Sequence, residues 1–332
     1  MGILVTGVAG LVGSNVAKSL DNENVIGIDN LSGGYKDNIP DNINFIKKDC
    51  MDITADDIPK VDTVFHAACT PYEGLSVFSP HSITQNTYGI STNTLIASVN
   101  AGVKKFIFTS SMARYGTQDQ IPFTESMTPK PQDPYGIAKY AFEQTLSQLS
   151  DVYGFEYTIL VPHNIVGPGQ VYTDPYRNVV GIMINRMLQG KQPIIYGDGS
   201  QMRSFSDIRD IIDPIKKVIY GDFNKEVINI GPDSNYISIL DLASMIAEEI
   251  GFTLDPIFLD ARPKEVKFAN CSADKSVELL GYKQKISLSE TIRDMVGWVS
   301  NRGPQPFNFN LPVEVVKEST PKTWLDYKIF NT

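Results

Sequence analysis

Cysteine and histidine are scarce, with three of each in 332 residues. Cys50, Cys69 and Cys271 are far apart, odd in number and outside any C-x-x-C or Cys/His cluster. That argues against a disulfide framework and a zinc site, and it predicts reduced thiols and no bound metal. Long apolar runs are missing too: no stretch reaches the roughly 18 residues that a membrane span needs. No charged segment followed by an apolar one opens the chain, so a cytoplasmic protein is expected. Met1-Gly2 with Thr6 fits an acylation pattern, but Ile3-Leu4-Val5 is wanted as a buried strand, and acylation is not expected. Basic runs are also absent. The 29 Lys and Arg stand against 38 Asp and Glu, and the net charge of −9 repels phosphate backbones, which argues against nucleic acid as a partner.

What is present reads as an ordered globular chain, long enough for one intertwined domain or two. Strand-like apolar runs occur at Ile3–Val5, Asn24–Ile28, Asn44–Ile46, Thr63–Phe65, Lys105–Phe108 and Tyr157–Val161. Segments of helical period, Leu11–Leu20, Ser82–Ala101 and Tyr135–Tyr153, lie between them. Strands alternating with helices of this length predict an α/β fold, a Rossmann-type doubly wound parallel sheet with helices on both faces. The rhythm loosens past Val166. Helices are expected at Val179–Gln189, Ser238–Ile250 and Ser287–Val299, with strands at Ile194–Tyr196 and Val227–Ile230. The expected division is a first domain over 1–165, to which the strand near 227–230 returns, and a smaller α/β domain over 166–332. Four prolines in the last thirty residues predict an irregular end.

Gly7-Val8-Ala9-Gly10-Leu11-Val12-Gly13 follows the first strand and opens the first helix. Gly7 permits the tight turn, Gly10 lets backbone approach a pyrophosphate, and Gly13 lets helix pack on strand. The unpaired N–H groups of the helix start attract the anion, so this segment predicts dinucleotide binding. Asp29 ends the second strand, where a carboxylate accepts from both adenine-ribose hydroxyls and repels a 2′-phosphate. NAD is therefore expected in preference to NADP.

Tyr135 and Lys139 stand four apart, on one helix face. A nearby cation stabilises a phenolate, so Tyr135 is the candidate base. The preceding strand ends in Ser110-Ser111, hydroxyls suited to the same substrate oxygen. His66 reads as a structural residue, and His81 and His163 are no better as bases.

These motifs, with His66-Ala67-Ala68 and Tyr115-Gly116, occur in the order of the extended short-chain dehydrogenase/reductase family, which the chain resembles. Pro162-His163-Asn164-Ile165-Val166-Gly167-Pro168 is similar to its R-P-x-N-V-Y-G-P segment. Tyr196-Gly197-Asp198-Gly199-Ser200-Gln201-Met202-Arg203-Ser204-Phe205 resembles the Y-G-D-G-x-Q-x-R-D-F segment of nucleotide-sugar epimerases and dehydratases, and Arg262-Pro263-Lys264-Glu265 resembles their R-P-G-E/D motif. The resemblance implies a catalytic set of Ser111, Tyr135 and Lys139. It implies a cofactor site of Gly7, Gly10, Leu11, Val12, Gly13, Asp29, Asn30, Asp49, Cys50, Ala67, Ala68 and Asn86, together with Tyr135 and Lys139. Arg203 and Arg262 would clamp the diphosphate of a nucleotide sugar. Asn164, Asn178, Val179 and Tyr196 would complete the substrate site, and the Glu73–Ser76 loop would border the sugar.

Ser111 is followed by Met112-Ala113, without the acid or base that dehydratases, decarboxylases or 3,5-epimerases of the family carry there. What remains is hydride abstraction at C4. If the 4-keto sugar is re-reduced in place the outcome is 4-epimerisation; if it leaves, the enzyme is a net C4 dehydrogenase. A catalytically silent NAD sensor is the third reading. Arg114, Val161 and Ser204 depart from the family pattern. In relatives the helices equivalent to Ser82–Ala101 and Tyr135–Tyr153 form a four-helix bundle, so a homodimer is expected through apolar residues such as Leu95, Ile96, Phe142 and Leu146.

Overall fold

The computed structural model describes residues 1–20, 23–234 and 236–326; the last six residues of the expected second domain lie outside these. The six expected strands form as β1 (Gly2–Thr6), β2 (Asn24–Asp29), β3 (Asn44–Lys47), β4 (Thr63–His66), β5 (Lys105–Thr109) and β6 (Glu156–Pro162). With β7 (Glu226–Ile230) they make one parallel sheet in the order β7-β6-β5-β4-β1-β2-β3. β1, β4 and β5 are buried throughout, which is why their apolar runs are continuous rather than alternating. The late strand does return: Val227 lies opposite Ile159, and Ile230 opposite Pro162. Strand order reverses between β1 and β4, and open α/β sheets bind ligands at such a point, beyond the carboxyl ends of the strands.

The helices are α1 (Leu11–Lys18), α2 (Ile90–Asn100), α3 (Pro134–Tyr153), α4 (Val179–Leu188), α5 (Ile208–Tyr220), α6 (Ile239–Ile250), α7 (Asp274–Leu280) and α8 (Leu288–Arg302). Local chemistry sets their ends. Asp133 caps α3 by accepting from the Gly136 N–H at 2.9 Å, Pro134 occupies the first turn, and Gly154 at φ +77° ends it. The single helix expected over Ser82–Ala101 is broken: Pro80–Thr84 and α2 are joined by a π-helical turn, Gln85–Gly89. That turn carries Asn86, whose carbonyl accepts from Thr70 N–H at 3.0 Å and so ties the loop after β4 to it.

Among the described residues α5 and α7 have no counterpart in the sequence analysis, and two expectations are corrected: Glu73–Ser76, expected as a loop, and Lys322–Leu325, in the expected irregular end, each form a single helical turn. In α5, Ile208, Ile211, Ile215, Val218 and Ile219 keep helical spacing and are all buried beneath the sheet, but Pro214 interrupts the pattern.

A further expectation is corrected. Leu95, Phe142 and Leu146 do not face outward; all three are fully buried in this chain's own core, and of the four named residues only Ile96 is exposed. A separate core gathers α4, α6 and α8, through residues such as Met183, Ile246 and Met295. Among the described residues no helix is long and apolar enough to cross a membrane.

Candidate active site

A single cavity of about 590 Å³ runs along the carboxyl ends of β1, β2, β4 and β5 and under α4. Every residue expected in the cofactor, catalytic and substrate sets lines it, although they come from positions as distant as Gly7 and Arg262.

At its cofactor end the backbone is crowded by design. A Cβ on Gly7 (φ +70°) would lie 2.9 Å from the Ala68 backbone, and one on Gly13 would lie 2.2 Å from the Gly7 carbonyl oxygen. Only glycine permits this approach. Gly10 gives α1 no side-chain cap and its first turn holds no acid, which leaves the helix start open to an anion. Asp29 accepts from the N–H groups of Ala9 (3.0 Å) and Leu31 (2.7 Å); burial raises its carboxyl pKa, and these two bonds oppose the rise. Asn30 Nδ2 donates to Asp49 at 2.7 Å, and Asp49 in turn accepts from Met51 N–H. Burial pushes the Cys50 thiol up to about 12, so it serves as packing and not as a nucleophile. His66 is held between Thr6 (2.8 Å) and Ser91 (2.9 Å), with burial pushing it down to about 3. It stays neutral, as a structural residue should.

At the reacting end, Ser111 and Tyr135 line the same stretch of the cavity, and Ser111 Oγ accepts from the Ala113 N–H at 3.2 Å. Lys139 Nζ donates to the Thr109 carbonyl at 2.8 Å and lies 5.9 Å from the centre of the Tyr135 ring. Burial raises the phenol well above its ordinary value, while Ser111 and Arg177 pull it back. Lys139 is thus held by the end of β5, beside the Tyr135 ring. Arg114, a departure from the family pattern, pairs with Glu143 at 2.9 Å with both side chains buried. Glu143 stands one turn beyond Lys139 and accepts from Ser110 Oγ. Of the other departures, Val161 fills the sheet core and Ser204 Oγ bonds Asn270 at 3.1 Å.

At the far end Arg262 lies 4.9 Å over the Tyr196 ring and pairs with Glu265 at 2.7 Å. Arg203 approaches the same carboxylate at 3.8 Å and donates to the carbonyls of Met202, Val266 and Lys267. Against the upward push of burial, the two guanidinium groups hold Glu265 below the usual carboxylate range. Lys264 sits at φ +63°, the left-handed conformation that explains glycine at this place in the related motif. Asn164 Nδ2 donates to the Ser204 carbonyl (2.9 Å), and Asn178 caps α4 through Val180 N–H (2.9 Å) beside Val179.

Tyr72, Asp133, Tyr176, Arg177, Asn310 and Leu311 also line the cavity, and the sequence reading missed them. They sit on loops or at a helix cap, where no periodicity marks them. Glu73, which was expected at the border of the sugar, is pushed up to about 7, mainly by burial and then by the charge of Asp133.

A glycine turn at a helix start, an acidic residue ending the second strand and a Ser-Tyr-Lys cluster in one cleft define a dinucleotide-dependent enzyme. The profile of the NAD dependent epimerase/dehydratase family matches residues 3–231, and the chain belongs to this family. It is 29% identical to a UDP-glucose 4-epimerase of Mycolicibacterium smegmatis, covering 91% of this chain and 99% of that protein. Among solved structures it is similar to a UDP-glucose 4-epimerase of Thermotoga maritima with UDP-glucose: TM-score 0.85, 31% identity, 91% of this chain and 99% of that one. A Bacillus cereus UDP-glucuronic acid 4-epimerase, in complex with UDP-glucuronic acid and NAD, gives a TM-score of 0.85 at 28% identity over 91% of this chain and all of that one. NAD is the cofactor, and the crowded glycine cradle and Asp29 fit it.

Proposed function

We propose that the protein epimerises a nucleotide-diphosphate sugar at C4, most directly a UDP-hexose, as a cytoplasmic homodimer. The observation that carries this reading is the shape of the cleft. The Ser111-Tyr135-Lys139 cluster lies in the same cavity as the Arg203/Arg262 pair, so a diphosphate held by the arginines presents its sugar to the phenol. Guanidinium forks match phosphate oxygens in two places, and here Glu265 keeps both forks oriented. Tyr135 takes the proton of the C4 hydroxyl, and Ser111 holds that oxygen in line. NAD, when bound, supplies the cationic ring that accepts and returns the C4 hydride. Lys139, braced by Thr109, is placed for the nicotinamide ribose. Met112 and Ala113 add no second acid or base, which favours simple oxidation and re-reduction over elimination.

The reading is tested by incubating the purified protein with UDP-, GDP- and CDP-hexoses and separating the isomers. Conversion of UDP-glucose to its C4 epimer without added cofactor is the expected result. Net accumulation of NADH with a released ketone would make it a dehydrogenase, and no change with any sugar would reject both.

A further inference from the structure

Beyond α8 the chain turns at Gly303 and runs back across the cleft. Its first anchor is on the substrate side. Asn185 of α4 grips the Gln305 backbone twice, Nδ2 donating to its carbonyl (2.9 Å) and Oδ1 accepting from its amide (3.0 Å). Its second anchor is at the start of the Pro80–Thr84 helix. Ser79 Oγ donates to the Pro312 carbonyl (2.7 Å), and the Glu314 carboxylate accepts from the N–H groups of His81 (2.9 Å) and Ser82 (2.8 Å).

Between the anchors, Asn310 and Leu311 line the cavity. Asn310 Nδ2 reaches the Ser32 carbonyl at 3.3 Å, and the Tyr176 hydroxyl donates to the Leu311 carbonyl at 3.1 Å. Leu311 packs on the apolar cluster that contains Tyr135, so this part of the segment sits at the reacting end of the cleft and away from the diphosphate end. The chain then doubles back: Thr323 bonds the Tyr196 hydroxyl at 2.7 Å, and Trp324 is buried against Phe78 and Tyr176. The two epimerases matched over 99% of their own length leave about a tenth of this chain outside the match, so this chain carries residues that they lack.

We propose that residues 304–326 form a strap that belongs to the sugar site, with Asn310 and Leu311 closing the pocket over the reacting sugar and retaining its 4-keto form until the hydride returns. This rests on the C4-epimerase reading. In the forward half, the C4–H bond breaks, its hydride passes to NAD, and the O4 proton passes to Tyr135. A ketone and NADH remain. Net isomerisation needs the ketone to present its other face and recover that hydride before it escapes. A segment tied to both sides of the cleft opposes escape; it meets the ring beneath Arg262 only through Thr323 and Trp324, well along the chain from Asn310 and Leu311.

The experiment compares the purified holoenzyme with two variants, Asn310→Ala/Leu311→Ala in the wall and Glu314→Ala at an anchor outside the pocket. Release of UDP-glucose is followed by stopped flow, with UDP, which has no sugar to enclose, as the control ligand. Both variants should release UDP-glucose about tenfold faster, the effect of losing one or two net hydrogen bonds, with UDP release unchanged. On turnover, NADH should build up towards one per site, with ketone in the filtrate. Wild-type release rates in both variants, with isomerisation free of NADH build-up, would overturn the proposal. If the wild-type protein converts no sugar nucleotide, the epimerase reading fails by itself, and the release rates still decide whether the strap encloses the sugar.

Discussion

Tyr135 and Arg203 sit in one cavity, and the proposed mechanism gives them different steps that kinetics can separate. Tyr135→Phe removes the base without touching the diphosphate grip, so kcat should fall by about 10²–10⁴ with little change in KM. Arg203→Ala removes binding made equally in the ground and transition states, so KM should rise more than kcat falls. Wild-type kcat in Tyr135→Phe would remove the phenol from the mechanism. Glu73 offers a pH test. Its folded pKa of about 7 lies above the ordinary 4.5, so the native state holds the proton more tightly than the unfolded chain. Stability from this group is intact below pH 4.5 and declines as pH rises towards 7. Glu73→Gln should therefore unfold at a higher temperature than wild type above pH 7, with the gap closing by pH 4.5. Parallel melting curves across that range would show that the carboxyl titrates normally.

At the level of elements, the junction of β5 with α3 decides how the site is braced. Arg114, just past β5, and Glu143, within α3, form a buried pair that also holds Ser110. Removing one partner leaves a buried charge uncompensated, whereas replacing both with apolar residues of similar size need not. Arg114→Met should cost about 3–5 kcal/mol in denaturant unfolding, and Arg114→Met/Glu143→Leu should recover most of it. A loss in the double variant equal to the sum of the losses in Arg114→Met and Glu143→Leu alone would mean that the pair is not coupled. The elements also show where sequence reading succeeds. α3 was legible because its cap, its first-turn proline and the Tyr135/Lys139 spacing all fall within one short window. α5 was not, because Pro214 breaks its periodicity and its isoleucines become meaningful only against the underside of the sheet.

For the whole molecule, the proposed homodimer can be tested at two exposed residues. Ile96 on α2 and Ile137 on α3 are 49% and 52% exposed, apolar residues on the two helices expected to pair across a two-fold axis. Ile96→Arg/Ile137→Arg should shift a dimer to monomer mass in light scattering, and a wild-type monomer at micromolar concentration would reject the pairing. The strands of the parallel sheet, the glycine turn, Asp29 at its strand end and the Tyr135/Lys139 spacing on one helix were legible in the sequence alone. Each rests on a steric or hydrogen-bonding demand met within a few neighbouring residues, and short windows record such demands. Only the tertiary structure decided that Leu95, Phe142 and Leu146 face inward, that Arg114 finds Glu143, and that Asn310 returns to Ser32 from 278 residues away. Those outcomes depend on which surfaces meet when whole layers pack, and no local pattern in the chain carries that information.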